Sequence, residues 1–210
     1  MSPAERLAFF QRLGAANPQP TTELVWETPF QLLLSVMLSA QSTDIGVNRA
    51  TAPLYPHLRT AADLLEMGLP TFEEAIRSLG LYRSKARHAL ETAARLISTH
   101  DGQVPRQREA LEALPGVGRK TANVVLNTLY GEATIAVDTH VFRVANRTGL
   151  APGKTPRAVE DLLLRRVPKA FLLHAHHWLI LLGRHICRAR QPACPECPVR
   201  DLCHMGKMHV

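Results

Sequence analysis

Apolar residues recur every three to four positions along most of the chain, which is the period of an amphipathic helix. No segment alternates apolar and polar residues in the way that a half-buried strand requires. Ser2, Thr28 and Thr155 each precede a proline, the pairing of a capping residue with a proline in the first helical position. Thr71 begins a capping-box sequence and Thr60 a weaker one. We therefore predict an all-α fold with helices over 3–13, 29–39, 44–55, 61–67, 72–79, 84–99, 107–113, 119–130, 139–147, 156–165 and 169–185.

Composition narrows the class of protein and its partner. A chain of 210 residues with 46% hydrophobic residues can bury one large core or two small ones, and it is too apolar for a disordered protein. Lys and Arg outnumber Asp and Glu by 25 to 18, a net charge of +7 that favours a polyanionic partner, either nucleic acid or a membrane surface. The apolar stretches 30–40 and 178–182 are too short to span a bilayer, and the N-terminus lacks the pattern of a signal peptide. We expect a cytoplasmic protein with no membrane partner.

A glycine-rich turn interrupts two helical patterns at residues 114–121, with the sequence LPGVGRKT. Gly116 and Gly118 permit a tight turn and leave backbone N–H groups uncovered, and the helix that follows adds its positive end. An isolated turn of this kind is most often only a helix–helix connection. The two basic residues Arg119 and Lys120 on the opening turn favour an anion site that suits a phosphate diester.

Two residues are candidates for chemistry. Lys120 stands in the first turn of a helix, where the helix dipole disfavours a positive charge, and this local cost suggests a role. Asp138 follows an apolar run and precedes the next helix, so it is either a simple N-cap or a functional carboxylate. The two interpretations of Asp138 are compatible.

All four cysteines lie within one short segment, at Cys187, Cys194, Cys197 and Cys203. Four thiolates in one loop suit a tetrahedral zinc ion or a [4Fe–4S] cluster, because both require four soft ligands. Only one pair has the close CxxC spacing, and the wide first gap favours the larger cluster. Zinc, a disulfide pair and free thiols remain alternatives on spacing alone.

These motifs together resemble the bacterial endonuclease III family, which are base-excision-repair DNA glycosylases of the helix–hairpin–helix superfamily. The resemblance extends over essentially the whole chain. It rests on SAQSTD at 39–44, LGLYRSKA at 79–86, EALPGVGRKTANVVLN at 112–127, AVDTHVFRVANR at 136–147, HHWLILLGRHIC at 176–187 and the cysteine spacing.

The resemblance implies two helical domains that flank a DNA-binding cleft. One is a six-helix barrel over residues 22–132 that contains the helix–hairpin–helix motif. The other joins residues 1–21 to residues 133–210 and holds a [4Fe–4S] cluster in the loop 187–203. We expect a monomer that binds double-stranded DNA containing oxidised pyrimidines or abasic sites.

The resemblance also assigns roles to individual residues. Lys120 becomes the nucleophile on the sugar, forming a Schiff base that leads to β-elimination, and Asp138 becomes the assisting carboxylate. Gln41 fills the gap left by an extruded nucleotide, and Leu81 is an apolar wedge in the opposite strand. The remaining expected DNA contacts are Gly116, Gly118, Arg119, His140, Arg184, Arg188 and Arg190. Arg83, Lys85 and Arg87 are further basic candidates for phosphate contacts.

Some positions depart from the pattern of the family that the chain resembles. Gln191 and Ala193 make the wide cysteine loop less basic, and His174 stands where relatives often carry an acidic residue. A monofunctional mismatch or adenine glycosylase is a rival interpretation, and Lys120 argues against it. We expect adenine-specific enzymes to carry a further C-terminal domain. A non-catalytic DNA-binding or redox module is disfavoured because Lys120 and Asp138 are both present.

Overall fold

The computed structural model describes residues 1–208, and these residues form helices and their connections without any strand. The predicted all-α class is therefore confirmed. The helices are α1 (Pro3–Ala16), α2 (Pro29–Leu38), α3 (Asp44–Thr51), α4 (Ala61–Met67), α5 (Leu69–Ala75), α6 (Tyr82–His100), α7 (Arg108–Glu112), α8 (Arg119–Tyr130), α9 (Thr139–Thr148), α10 (Pro156–Arg166), α11 (Leu172–Leu181) and α12 (His204–Met208). None of these helices is long and apolar enough to cross a lipid bilayer.

Most predicted helix starts are confirmed by capping hydrogen bonds. The Ser2 and Thr28 side chains accept bonds from backbone N–H groups three residues on, and both form complete capping boxes. Thr60 does the same with Asp63. The capping box predicted at Thr71 is wrong, because α5 begins earlier, at Leu69, directly after Gly68.

The predicted helix 169–185 is also wrong as a single element. Lys169–Phe171 is a 3₁₀ turn, α11 follows, and Leu182–Ile186 is a π-helical turn that leads into Cys187. Two short 3₁₀ turns, Cys194–Glu196 and Arg200–Leu202, lie between the later cysteines.

The chain divides into two compact units. One, the continuous unit, is Thr22–Tyr130; the other, the terminal unit, joins Met1–Thr21 to the described residues from Gly131 on. The second boundary falls two residues before the predicted 132/133 boundary.

Helix α2 lies at the centre of the continuous unit, and every residue from Phe30 to Leu38 is buried. Helices α6 and α8 pack against it. Its buried polar groups are satisfied: Gln31 Nε2 donates to the carbonyl oxygens of Tyr55 and Leu58, each at 2.9 Å. Helix α2 is therefore the buried centre against which α6 and α8 are packed.

The core of the terminal unit is rich in aromatic rings. Phe9 and Phe10 of α1 are fully buried, and the Phe10 ring lies near the Phe171 and Trp178 rings. Trp178 Nε1 donates to the carbonyl oxygen of Asn17 at 2.8 Å, which fastens the N-terminal segment to α11. The same core anchors α9, whose buried face includes Val141 and Val144.

Candidate functional site

The glycine turn between α7 and α8 has a left-handed residue at Gly116, with a φ of 75°. A Cβ atom built on Gly116 would lie 2.9 Å from Cβ of His88 on α6, closer than real side chains approach. Gly118 is exposed, and nothing lies within 4 Å of its Cβ position. Thr92 of α6 donates to the Pro115 carbonyl oxygen at 2.8 Å. Helix α6 therefore supports the turn from below, while the glycines face solvent.

Lys120 is exposed on the first turn of α8. The opposite face of α8 carries Ala122, Val125 and Leu126 into the core, so the amphipathic pattern fixes the outward direction of Lys120. Arg119 is half-buried, and its guanidinium Nη1 lies 3.8 Å from a carboxylate oxygen of Glu112. An amine on this turn is presented to solvent beside uncovered backbone N–H groups.

Gln41 and Leu81 share an unusual backbone. Their φ angles are 54° and 59°, in the left-handed region that non-glycine residues rarely adopt. Gln41 is exposed, and Leu81 is 59% exposed although it is apolar. A leucine that is both strained and exposed costs stability, and such outliers cluster at functional positions.

Lys85 does not occupy a surface position, contrary to the phosphate contact considered from the sequence. It is buried on α6, and its Nζ donates to Oγ of Ser42 at 2.7 Å. Burial lowers the pKa of the Lys85 amine. The sequence analysis missed this pairing, because the two residues lie 43 positions apart and carry no local signal.

Asp138 is the N-cap of α9. Its Oδ1 accepts from the backbone N–H groups of His140 at 2.9 Å and Val141 at 2.8 Å. The cap interpretation is thus confirmed, and these two bonds hold the carboxylate in one orientation. The preceding residues Ile135–Val137 are buried, and they anchor the irregular segment that leads to Asp138. The second oxygen, Oδ2, takes part in neither bond.

His140 is part of a packed network rather than a freely exposed side chain. Its Nδ1 lies 3.2 Å from Nη2 of Arg143, which also donates to the carbonyl oxygen of Gly183 at 2.7 Å. A Cβ built on Gly183 would lie 2.8 Å from Cβ of His140. Arg143 Nε donates to the Cys187 carbonyl oxygen at 2.9 Å. Helix α9 is therefore bound to the π-helical turn and to the start of the cysteine segment.

The four cysteines line one cavity of the terminal unit. It encloses about 390 Å³, including space open to solvent, and Arg147 and Arg200 also line it. Nη1 of Arg147 lies 3.7 Å from Sγ of Cys187 and donates to the Arg188 carbonyl oxygen at 2.7 Å. Burial raises the pKa of the Cys197 and Cys203 thiols, and the neighbouring cysteines add to this effect.

The cavity offers four thiols, which is the number of ligands that a [4Fe–4S] cluster requires. Among the described residues, no three His, Cys, Asp or Glu side chains converge closely enough to hold one metal ion. A zinc ion would require all four sulfur atoms about 2.3 Å from one point. A cluster spreads its thiolate ligands over four iron atoms, and four cysteines around a common cavity match that arrangement.

The other basic candidates lie around the cysteine segment. Arg184 is half-buried in the π-helical turn, whereas Arg188 and Arg190 are exposed in the wide loop. Arg188 Nε donates to the Gln191 carbonyl oxygen at 3.2 Å. The backbone N–H of Ala193 closes this loop by donating to the carbonyl oxygen of Ile186 at 2.9 Å.

The chain is similar to known DNA repair proteins in both sequence and structure. A model of the HhH-GPD superfamily of base excision DNA repair proteins matches residues 34–169. Endonuclease III of Escherichia coli strain K12 is 55% identical over 97% of this chain and 96% of its own. The structure of a trapped endonuclease III–DNA covalent intermediate, an estranged-adenine complex, superposes with a TM-score of 0.92 at 42% identity, over 100% of this chain and 99% of that one.

A non-covalent endonuclease III–DNA complex gives the same TM-score of 0.92 at 42% identity, over 100% of this chain and 98% of that one. The family match spans well over half of the chain, and the relative from E. coli matches nearly all of it. The chain therefore belongs to the endonuclease III family of the HhH-GPD superfamily, and it is a base excision repair DNA glycosylase.

Proposed function

We propose that this glycosylase is bifunctional: it removes oxidised pyrimidines of the thymine glycol type from duplex DNA and then cleaves the abasic site. The observation that carries the proposal is the exposed Lys120 on the opening turn of α8, beside the glycine turn. A relative with 42% identity has been trapped as a covalent intermediate with DNA, which supports amine chemistry of this kind. We further propose that it acts as a monomer.

Phosphate binding is assigned first to the glycine turn. The backbone N–H groups at Gly116 and Gly118 and the positive end of α8 attract one phosphate diester, and Arg119 adds a positive charge. Each neutralised phosphate releases counterions, so affinity should fall steeply as salt rises. A salt-independent affinity would contradict this interface. The further proposed contacts are His140, Arg184, Arg188 and Arg190.

The target nucleotide must leave the duplex before its glycosidic bond is accessible, at a cost of about a few kcal/mol. We assign the stabilisation of the opened duplex to Gln41 and Leu81. Both side chains are exposed and held in the left-handed conformation. Gln41 occupies the gap, and the apolar Leu81 unstacks the opposite strand.

The first chemical step is attack by the uncharged amine of Lys120 on C1′ of the sugar. The bond from C1′ to the base breaks, and its electron pair leaves with the base, which takes a proton from solvent. The sugar ring then opens at O4′, which receives a proton from the amine nitrogen. The product is a protonated Schiff base between Lys120 and C1′.

Asp138 supplies the negative charge that this step needs. Its carboxylate stabilises the positive charge that develops on the sugar and assists the transfer of the amine proton. The two backbone bonds to Oδ1 keep the carboxylate oriented without neutralising it. The N-cap and the chemical role thus use the same side chain.

Strand cleavage follows from the Schiff base. A proton passes from C2′ to solvent water, its electron pair forms the double bond between C2′ and C3′, and the C3′–O bond breaks as the phosphate leaves with the electrons of that bond. Water then hydrolyses the imine, which releases an unsaturated aldehyde on the DNA and restores the amine of Lys120. Lys120 is therefore required for both reactions.

A [4Fe–4S] cluster is proposed for the cysteine cavity, held by Cys187, Cys194, Cys197 and Cys203. Bound there, it would contribute folding free energy to a segment that contains few long aliphatic residues. Arg147 binds this segment through three carbonyl and sulfur contacts, to Cys187, Arg188 and Ala189. We propose that the terminal unit is the cluster domain and the continuous unit the helical barrel.

The test is borohydride trapping of the imine on duplexes that carry a panel of oxidised bases. The parent protein should form a covalent adduct with thymine glycol DNA, whereas Lys120→Gln should bind the same duplex without trapping or cutting. Lys154→Gln, which removes another exposed amine, is the matched control and should trap normally. Strand cleavage by the Lys120→Gln protein would overturn the assignment of the nucleophile.

A further inference from the structure

A buried amine connects two loops of the continuous unit: the loop 39–43 between α2 and α3, which contains Gln41, and the loop 76–81 between α5 and α6, which ends at Leu81. Lys85 is only 8% exposed, and its Nζ donates to Oγ of Ser42 at 2.7 Å. Lysine is rarely buried unless it is paired, because desolvation of the ammonium is unfavourable. If Lys85 served only as a surface charge, its ammonium group would remain in water and would not be desolvated. Its placement therefore points to a specific role.

The two ends of this hydrogen bond adjoin the two strained residues. Ser42 directly follows Gln41, and Lys85 lies one helical turn after Leu81, with its backbone N–H bonded to the Leu81 carbonyl oxygen at 3.0 Å. Because the side chain of Lys85 reaches Ser42, one residue is linked to both loops. Release of that link would free the first loop from the start of α6.

The backbones of the two loops also lie side by side. A Cβ built on Gly80 would lie 3.7 Å from the carbonyl oxygen of Gln41. A Cβ built on Gly46, at the start of α3, would lie 3.8 Å from Cδ2 of Leu79. These are ordinary van der Waals contacts, which give little directional restraint. The hydrogen bond from Lys85 is the directional connection among them.

We propose that Lys85 is a positioning residue for base extrusion: its bond to Ser42 holds the Gln41 loop against the start of α6, so that Gln41 and Leu81 enter the duplex as one rigid pair. This inference rests on the proposed function, in which both residues stabilise the opened duplex. Left-handed non-glycine residues persist only where surrounding contacts over-determine them. Without the bond, the Gln41 loop relaxes and the pair loses its fixed spacing.

The consequence is specific to duplex opening. Lys85 touches no reacting atom, so imine formation at an abasic site in single-stranded DNA, where there is no duplex to open, should not depend on it. Unstacking of a paired lesion should depend on it. Loss of a hydrogen bond from a charged donor is expected to slow that step about tenfold.

The experiment compares four single variants. Lys85→Met removes the donor and keeps the length of the side chain, and Ser42→Ala removes the acceptor. Ser42→Thr retains a hydroxyl group and should rescue the function. Ser84→Ala changes an exposed serine on the same helix and is the matched control. The readout is the fluorescence of 2-aminopurine placed beside a thymine glycol lesion, followed by stopped flow, with thermal unfolding as the check on folding.

Lys85→Met and Ser42→Ala should each slow unstacking about tenfold, while trapping on single-stranded abasic DNA stays at the parent rate. The double variant Lys85→Met/Ser42→Ala should unstack the lesion no more slowly than either single variant, because the two substitutions remove the same hydrogen bond. Unstacking at the parent rate in Ser42→Ala, or additive effects in the double variant, would overturn the proposal. Ser42→Ala decides the question even where Lys85→Met fails to fold. If the parent protein neither unstacks nor traps DNA, the proposed function fails instead.

Discussion

Replacement of Gly116 by alanine should destabilise the glycine turn through two separable penalties. The first is conformational: at a φ of 75°, an alanine is in the left-handed region, which costs roughly 1–2 kcal/mol. The second is steric, because the new Cβ would lie 2.9 Å from Cβ of His88 and 3.0 Å from its Nδ1. Overpacking of this kind costs about 1–3 kcal/mol. The sum gives a loss of about 3 kcal/mol in the free energy of unfolding.

Two other glycines of the same unit separate these penalties. Gly102 has a φ of 74° and nothing within 4 Å of its Cβ position, so Gly102→Ala carries only the conformational cost. Gly118 has neither a positive φ nor a close neighbour, so Gly118→Ala should change stability by less than about 0.5 kcal/mol. His88→Gly removes the Cβ that the new methyl group would meet, so Gly116→Ala in the His88→Gly background, compared with His88→Gly alone, should lose the steric part of the cost and keep the conformational part.

The assay is urea unfolding followed by circular dichroism, together with fluorescence anisotropy on a lesion duplex. Gly116→Ala should weaken DNA binding because the displaced turn no longer directs its N–H groups at one phosphate, whereas Gly102→Ala should not. A Gly116→Ala protein no less stable than Gly102→Ala would refute the steric reasoning. Full DNA affinity in that variant would refute the assignment of the turn to phosphate binding.

Three further predictions concern the terminal unit. Asp138→Asn keeps an N-cap, so the free energy of unfolding should change by less than about 0.5 kcal/mol, while the rate of single-turnover base excision should fall about 100-fold or more. A parallel loss of stability and of excision rate would indicate that Asp138 is only a cap. Burial, and secondarily His174, lowers the pKa of His177 from 6.5 to about 4. As the pH falls, the unfolded chain therefore binds a proton at His177 before the folded protein does, and the free energy of unfolding should fall by about 2 kcal/mol between pH 7 and pH 5. His177→Phe should remove this part of the pH dependence. Identical shifts of the urea midpoint with pH in the parent protein and in His177→Phe would contradict this prediction. Cys203→Ser should lose iron and visible absorbance and lower the melting temperature, whereas stoichiometric zinc in the parent protein would refute the cluster.

Local sequence was sufficient for most of the secondary structure. The N-caps at Ser2, Thr28 and Thr60 were predictable because each capping bond joins residues three positions apart. The start of α5 was predicted wrongly, because Thr71 offers a capping box in sequence whereas the helix begins directly after Gly68, with Pro70 in its first turn. The three caps and the start of α5 are all set by contacts within one helical turn.

The chemistry of the candidate site was also visible in the sequence. The glycine turn places Lys120 on the first turn of α8 through contiguous residues, and Asp138 caps α9 through the next two amides. The spacing of the cysteines indicated a four-thiolate site. Spacing left a single ion and a cluster open, because that choice depends on how the helices around the loop place the sulfur atoms.

Tertiary structure alone decided the features that involve distant segments. Arg143 of α9 binds the carbonyl oxygen of Gly183, 40 positions away, and the predicted helix there becomes a π-helical turn. Lys85, a surface cation by its sequence, is buried because Ser42, 43 positions earlier, supplies an acceptor. Sequence patterns record interactions within a turn of helix, whereas burial and hydrogen-bond partners are set by segments that meet only when the chain is folded.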